Sequence, residues 1–399
     1  MLDLLEIASD GLKLDHSDWT LVKFGDIAVQ QKQIVDRENT ELARYVKGEH
    51  MGSEDIHLRK WGELKDEYLG PAFIRKFEEG DILYGSRRTY LRKVVVAPFE
   101  GITSNTTFVI KANEELIDKR LLPYVMLSEG FSQHSIRNSK GSVNPYINWK
   151  DIAGYDFLLP PKHLQKDIVD LLCSIDALIE NRTMVSKRLN YALALYFDKE
   201  MSADHKNRTV LKSSIKKIVA GKSPQGYPQP ARSSEYGVLK VSAIGDGEYV
   251  EAENKEIVDQ AKFDSKYEVN KGYLLVTRAN ANLSGIGRAC IVNETRSGLM
   301  LSDKTLRLIP DDKVINDRFL FQQLRTKEYR SYIESAAGGT DAKNISQKLL
   351  LEAPIWLPEL PVQEQIVVTL SNFDSAIEAS RNEIISVKAL YLSTINQVF

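Results

Sequence analysis

The chain has 399 residues, 43% of them hydrophobic and 27% charged, with 53 Lys and Arg against 55 Asp and Glu and a mean hydropathy of -0.30. These values exclude collagen-like, disordered and membrane-spanning classes, and at about 100 to 200 residues per domain the length calls for two or three domains. A net charge of -2 carries no overall basic signature, so any contact with nucleic acid must come from local clustering.

The N-terminal stretch "MLDLLEIASDG" has acidic residues where a signal peptide is basic, and two cysteines, Cys173 and Cys290, cannot make a disulfide framework. The longest apolar runs, at 93–99 and 168–179, fall short of the ~20 residues a bilayer span needs. A cytoplasmic protein without a membrane segment is expected.

Residues 18–158 hold short β-prone runs, "DILYG", "KVVVA" and "TFVIK", broken by Gly, Asn, Asp and Pro, with helical spacing over 116–137. A proline-punctuated helix start follows, "LLPPKHLQ" at 158–165. The helix beyond it, from about 163 to 200, carries Ile168, Leu172, Ile175, Ile179, Leu189, Leu193 and Tyr196 at a and d spacing. Residues 208–356 repeat the mixed pattern with "GVLKVSAI", "YLLVTR" and "TLRLIP" and a helical stretch at 316–335. A second start, "LPELPVQEQ" at 357–365, opens a helix with Ile366, Leu370, Phe373, Ile377, Ile384, Val387, Tyr391 and Val398 in the same register. The two seams falter at one heptad point, Arg182 and Ser380. The expected domains are therefore 1–158, a central helix 159–204, 205–356 and a C-terminal helix 357–399.

The similarity of the halves is an internal duplication. Residues 141–180 align without gaps on 339–378 at an offset of 198, and twelve of the forty positions are identical, among them Gln165/Gln363, Ile168/Ile366 and Asp176/Asp374. Average residue usage predicts roughly two or three. Upstream, "EEGDILYGSRRTY" is similar to "VNKGYLLVTRANA", with Gly80 opposite Gly272. A period near 200 residues is too long for a solenoid, so one module plus one helix has been duplicated. The expected fold class is mixed α/β (α+β), with two modules separated by two long helices that pair antiparallel in a pseudo-twofold repeat. A helix over 163–200 rises roughly 55 Å. Two similar modules on a rigid spacer suit a ligand with two separate sites, which duplex DNA offers.

Little in the chain points to catalysis. "NPYI" at 144–147 lacks the second proline of an adenine methyltransferase loop, and "AGKS" at 220–223 has Lys216 where a phosphate loop needs its first glycine. The six histidines show no ligand spacing, and Cys173 beside the apolar seam reads as packing.

The doubled order of module and helix start ("GDILYGSRR" and "GYLLVTRAN"; "LPPKHLQKDIVDLLCSIDALIE" and "LPELPVQEQIVVTLSNFDSAIE") resembles the DNA-specificity subunits of type I restriction-modification enzymes over nearly the whole chain. The first helix start reads Gln165, Lys166, Asp167, Ile168 where the second has the more typical Gln363, Glu364, Gln365, Ile366. The resemblance implies a non-catalytic subunit whose two target-recognition domains each read half of an asymmetric, bipartite site in double-stranded DNA. It also implies two modification subunits, carrying S-adenosylmethionine and methylating adenine, docked on the spacer helices. Restriction subunits using ATP and Mg join them, and no cofactor is expected in this chain. Two other readings stand beside it: the specificity subunit of another bipartite-site restriction system, and a protein-only coiled-coil scaffold. A self-contained methyltransferase has the missing loops against it.

Arg, Lys, Asn, Gln and Ser/Thr read base edges, and Lys and Arg neutralise phosphate. The densest candidate is "SRRTYLRK" at 86–93, with Arg87, Arg88, Tyr90, Arg92 and Lys93. Its counterpart in the second module offers Arg278, Asn280, Asn282 and Arg288. Glycine-flanked stretches add Lys140 and Asn144 in the first module and Thr340, Lys343 and Asn344 in the second. A polar loop with Lys222, Gln225, Tyr227 and Arg232 opens the second module.

Overall fold

A computed structural model of the chain describes residues 14–37, 39–201, 208–338 and 343–399. The chain divides into two units, Met1–Ser186 with Ala379–Phe399, and Lys187–Glu378.

In the first unit β1 (Thr20–Lys23) pairs antiparallel with β10 (Asp156–Leu159). A four-stranded antiparallel sheet has the order β2 (Ala28–Gln31), β9 (Thr107–Ala112), β6 (Ile82–Gly85), β7 (Val94–Val96). A second sheet runs β4 (Gly62–Glu63), β3 (Arg44–Val46), β8 (Gly101–Ser104), β5 (Phe73–Phe77), in which β3 and β8 are parallel. Short helices α1 (Phe24–Ile27), α2 (Leu122–Leu127), α3 (Glu129–Arg137) and α4 (Trp149–Ala153) cover the first sheet, and Phe24, Val125, Phe131 and Ile152 are wholly buried.

The second unit repeats this plan. β11 (Arg208–Val210) pairs with β21 (Pro354–Trp356), and β12 (Ile215–Ala220), β19 (Thr305–Pro310), β15 (Leu274–Thr277) and β17 (Ala289–Ile291) form the four-stranded sheet. A smaller sheet of β14 (Asn254–Glu256), β13 (Gly237–Leu239) and β18 (Leu299–Met300) keeps the parallel pair, and α6 (Asp317–Gln323), α7 (Lys327–Ala336) and α8 (Gln347–Leu351) match α2 to α4. Gly80 and Gly272, matched by sequence, stand at the same turn with the same φ of +85°, a conformation that glycine adopts without steric cost.

The helical stretches expected over 116–137 and 316–335 each divide into two helices, α2 with α3 and α6 with α7. Ser128 and Thr326 adopt extended backbone (ψ 152° and 153°), and their hydroxyls cap α3 and α7 by accepting from Phe131 N and Tyr329 N at 3.2 Å. A hydroxyl that satisfies an orphan amide favours a new start over a continued turn.

Two 39-residue helices, α5 (Lys162–Glu200) and α9 (Leu360–Val398), start at the repeat offset. Their joint to the module is the same in both units. Buried Gln165 donates through Nε2 to the carbonyls of Leu116 (3.0 Å) and Pro160 (2.9 Å) and accepts from Asp118 N at 2.7 Å. Buried Gln363 donates to Val314 (2.9 Å) and Pro358 (2.7 Å) and accepts from Asn316 N at 2.8 Å.

Of the seam residues, Ile168, Leu172, Ile175 and Ile179 are buried in the first unit's core with Tyr391, Ile395 and Val398. Tyr124 touches Cys173 (3.5 Å) and Tyr391 (ring centroids 6.0 Å), while Arg182 meets Glu383 at 2.9 Å. Nine residues up α5 correspond to eight down α9, so the two segments run antiparallel in this unit. Ile366 and Leu370 are buried in the second unit's core, where Tyr196 lies 6.0 Å from Phe373, and Ile377 is buried as well. Leu189 and Ile384 are half-buried. Each fully buried aliphatic side chain stabilises by roughly 1.5–3 kcal/mol, whereas a surface ion pair contributes up to ~1 kcal/mol, so the stripe decides the docking. A segment of the first module is nevertheless clamped on α5 by charge: His57 Nε2 lies 2.9 Å from Asp176, and Arg59 binds both Asp55 and Glu180. Among the described residues no helix is long and apolar enough to cross a membrane.

Candidate nucleic-acid interface

The stretch 86–93 links β6 to β7 around a short turn, Thr89–Leu91, with left-handed backbone at Arg88 (φ 51°) and Arg92 (φ 48°). For a residue with a Cβ that conformation costs roughly 1–2 kcal/mol, so the surroundings must hold it. They do so from two sides. The guanidinium of Arg92 binds Glu54 and Glu129, each at 2.9 Å, and donates to the carbonyl of Leu127. The amide of Arg88 donates to Pro145 O at 2.7 Å, and Thr89 Oγ1 lies 2.9 Å from Ser139 Oγ.

The partner stretch is the second candidate of this module. Lys140 and Tyr146 exchange backbone hydrogen bonds of 2.8 and 2.9 Å around Gly141 (φ 89°), and Arg87 bridges Tyr146 from the other side. Arg87, Arg88, Tyr90, Lys140, Asn144 and Tyr146 therefore share one exposed ribbon. Lys140 also lies 3.5 Å from Asp151. The run "SRRTYLRK" is split in use: Arg92 is an internal anchor with its side chain 16% exposed, and Lys93 donates to Gly48 O. Asn144, Pro145 and Tyr146 of "NPYI" build the ribbon's edge.

The second unit forms the same ribbon. β16 (Ala279–Asn280) pairs with β20 (Lys343–Asn344), Asn344 exchanges bonds of 2.8 and 3.0 Å with Gly338, and Ile345 N donates to Arg278 O as Ile147 N does to Ser86 O. This register sets Ala279 in the place of Arg87, Asn280 in that of Arg88, Gly338 in that of Lys140 and Asn344 in that of Tyr146. Arg278 matches Ser86. Arg288 matches Lys93 and, like it, donates to a backbone carbonyl, that of Ser284 at 3.0 Å. At matching places the pairing thus presents Arg87, Arg88 and Tyr146 in the first unit and Ala279, Asn280 and Asn344 in the second. Asn282 is exposed and Lys343 half-buried, while Thr340 lies outside the described residues.

Beside Asn280 opens a cleft of about 800 Å³ that Lys240, Lys255 and Lys304 also line. These lysines form no local charge cluster in the sequence because they are 15 and 49 positions apart in the chain. The expected polar loop at 222–232 borders the cleft through Ser223, whose hydroxyl binds Asp303, while Lys222 leans on Asp264 at 3.5 Å. Gly221 packs so closely on Leu301 that a Cβ would overlap its carbonyl, which explains the glycine of "AGKS" without a phosphate. Cys290 is buried, and burial pushes its thiol up to about 12, far from a reactive thiolate.

A family model described as the type I restriction modification DNA specificity domain matches residues 16–191 and again 214–389. The EcoEI type I restriction enzyme specificity subunit of Escherichia coli is 34% identical over 183 residues, covering 45% of this chain and 30% of that protein. The MjaVIII specificity subunit of Methanocaldococcus jannaschii is 28% identical over 416 residues, covering 94% of this chain and 90% of the relative. The chain thus spans less than a third of the first relative and nine-tenths of the second. Among solved structures, a chain described for complex assembly and conformational transition of a type I R-M system has a TM-score of 0.60 at 17% identity, covering 97% of this chain and 98% of its own. The S subunit of a type I restriction-modification system from M. genitalium has a TM-score of 0.56 at 14% identity, covering 97% and 98%. These likenesses establish the fold.

Proposed function

Because the chain belongs to the type I restriction modification DNA specificity family, we propose that its two modules, within 1–158 and 205–356, each read one half of a bipartite, asymmetric site in double-stranded DNA. The observation that carries this reading is the doubled ribbon: the same strand pairing carrying unlike side chains is what two unlike half-sites require. In the first module Arg87, Arg88, Tyr90, Lys140 and Asn144 face the duplex. In the second, Arg278, Asn280, Asn282, Lys343 and Asn344 do so. Arginine suits the O6/N7 edge of guanine and asparagine the N6/N7 edge of adenine, so the half-sites differ in base preference.

The spacer helices, within 159–204 and 357–399, dock two modification subunits, which bind S-adenosylmethionine and methylate adenine. Restriction subunits with ATP and Mg join the assembly in the cytoplasm. Catalysis lies with those partners, and this chain selects the sequence.

Methylome sequencing of a host carrying the chain and its modification subunit tests the reading. A split adenine-methylated motif that depends on the chain is expected, with Arg88→Ala relaxing one half and Asn280→Ala the other. No chain-dependent motif from an intact complex supports the protein-only scaffold instead, and equal relaxation of both halves contradicts the two-module assignment.

A further inference from the structure

Resting on the reading of the chain as a DNA-specificity subunit, we propose that the cleft lined by Lys240, Lys255 and Lys304 in the second unit grips a stretch of sugar-phosphate backbone, a function with no counterpart in the first unit. The three lysines come from different elements around the cleft: Lys240 follows β13, Lys255 lies in β14 and Lys304 precedes β19 of the four-stranded sheet. Among the described residues neither Lys255 nor Lys304 has a carboxylate within 4.0 Å, and Lys240 stands 3.9 Å from Glu253. Among the described residues the one carboxylate lining the cleft, that of Asp303, accepts from the hydroxyl of Ser223. With Glu253 counted beside Asp303, three cations still face two carboxylates, and the net positive charge selects an anion. At about 800 Å³ the cleft is far larger than a single ion needs and lies in the range of pockets that take extended ligands. Lysine binds phosphate as a point charge without reading sequence, and Asn280, whose Oδ1 accepts from Asn282 N at 3.1 Å, stands at the rim.

The internal repeat supplies the control. Strand register places Lys47 opposite Lys240 and Gly62 opposite Lys255, and the bonds of Ser86 and Arg278 place Thr106 opposite Lys304. Lys47 is already bound to Glu67 at 2.6 Å and lies 3.8 Å from Glu49. Gly62 carries the ring of Tyr45 where a side chain would project. Two of the three cations are thus missing from the first unit and the third is neutralised. The second unit holds backbone through lysine, and the first relies on the arginines of its ribbon.

The test is duplex binding by the assembled complex with modification subunits, comparing wild type with K240Q/K255Q/K304Q. Each lost phosphate contact lowers the slope of log Kobs against log[salt] by about 0.9, so the triple variant should lose about 2.7 and each of K255Q and K304Q about 0.9. The methylated motif should stay the same, and hydroxyl-radical protection should weaken at one half-site only. An unchanged slope in the two single variants, or a changed motif at unchanged slope, overturns the assignment. A wild-type complex without salt-dependent duplex binding refutes the DNA-specificity reading itself.

Discussion

Gln165 is the most informative residue to remove, because its buried side chain fastens a long helix to a module through three hydrogen bonds. Gln165→Leu keeps the volume and takes away both donors and the acceptor. The buried carbonyl of Pro160 and the partly buried carbonyl of Leu116 and amide of Asp118 then lose their partners. At about 1 kcal/mol for each orphaned group, the low end of the range, the first unit should lose about 3 kcal/mol, or more than a hundredfold in its opening equilibrium. Hydrogen exchange followed by mass spectrometry reads this directly. Core amides of the first unit, such as those of Val109 and Val169, should exchange on the order of 100-fold faster, while Leu275 and Leu308 in the second unit serve as the internal reference. Gln363→Leu should produce the mirror result. A change below about 1 kcal/mol, or equal loosening of both units, would refute the view that each glutamine is the fastening of its own module.

Arg88 and Arg92 share a run and a left-handed backbone but should part in their phenotypes. Arg88→Gly removes a strained residue, and with the opposing backbone entropy of about 0.5–1 kcal/mol the thermal midpoint should hold or rise slightly while one half of the methylated motif relaxes. Arg92→Ala strands Glu54 and Glu129, both partly exposed, and should cost about 1–2 kcal/mol with the motif intact; a relaxed motif at wild-type stability would reverse these roles. The Asp176 carboxylate raises the pKa of His57 above its ordinary value of 6.5, outweighing the lowering by burial. A raised folded pKa means that the stabilisation is complete below about 6.5 and fades as pH rises through the folded value. His57→Gln should therefore lower the urea midpoint of the first unit at pH 6 and scarcely at pH 9; an equal deficit at both would mean that charge has no part in the clamp.

The repeat makes the frame legible in the sequence. Gln165 and Gln363, Gly80 and Gly272, and the twin helix starts all sit where backbone groups demand one residue type, so the duplication preserved them. Ser128 and Thr326 escaped notice because a hydroxyl inside an amphipathic run looks like a tolerated helical position until its cap geometry is seen. The basic run at 86–93 was read as uniform, yet folding buries Arg92 among carboxylates and leaves Arg87 and Arg88 outside. Lys240, Lys255 and Lys304 carry no signal in the sequence, since pairing of β13 with β14 brings the first two together across 15 positions and Lys304 joins them from the other sheet.

The contribution of residues 379–399 to the first core has a consequence for synthesis. Ile168, Leu172 and Ile175 leave the ribosome early, but Tyr391, Ile395 and Val398, which share their core, emerge only after the whole of Lys187–Glu378 has been translated. At about 5–20 residues per second that delay is on the order of ten to forty seconds. Throughout it the nascent first unit displays an uncovered apolar stripe, so the second unit, whose stretch is continuous in the chain, is able to close before the one that was made first.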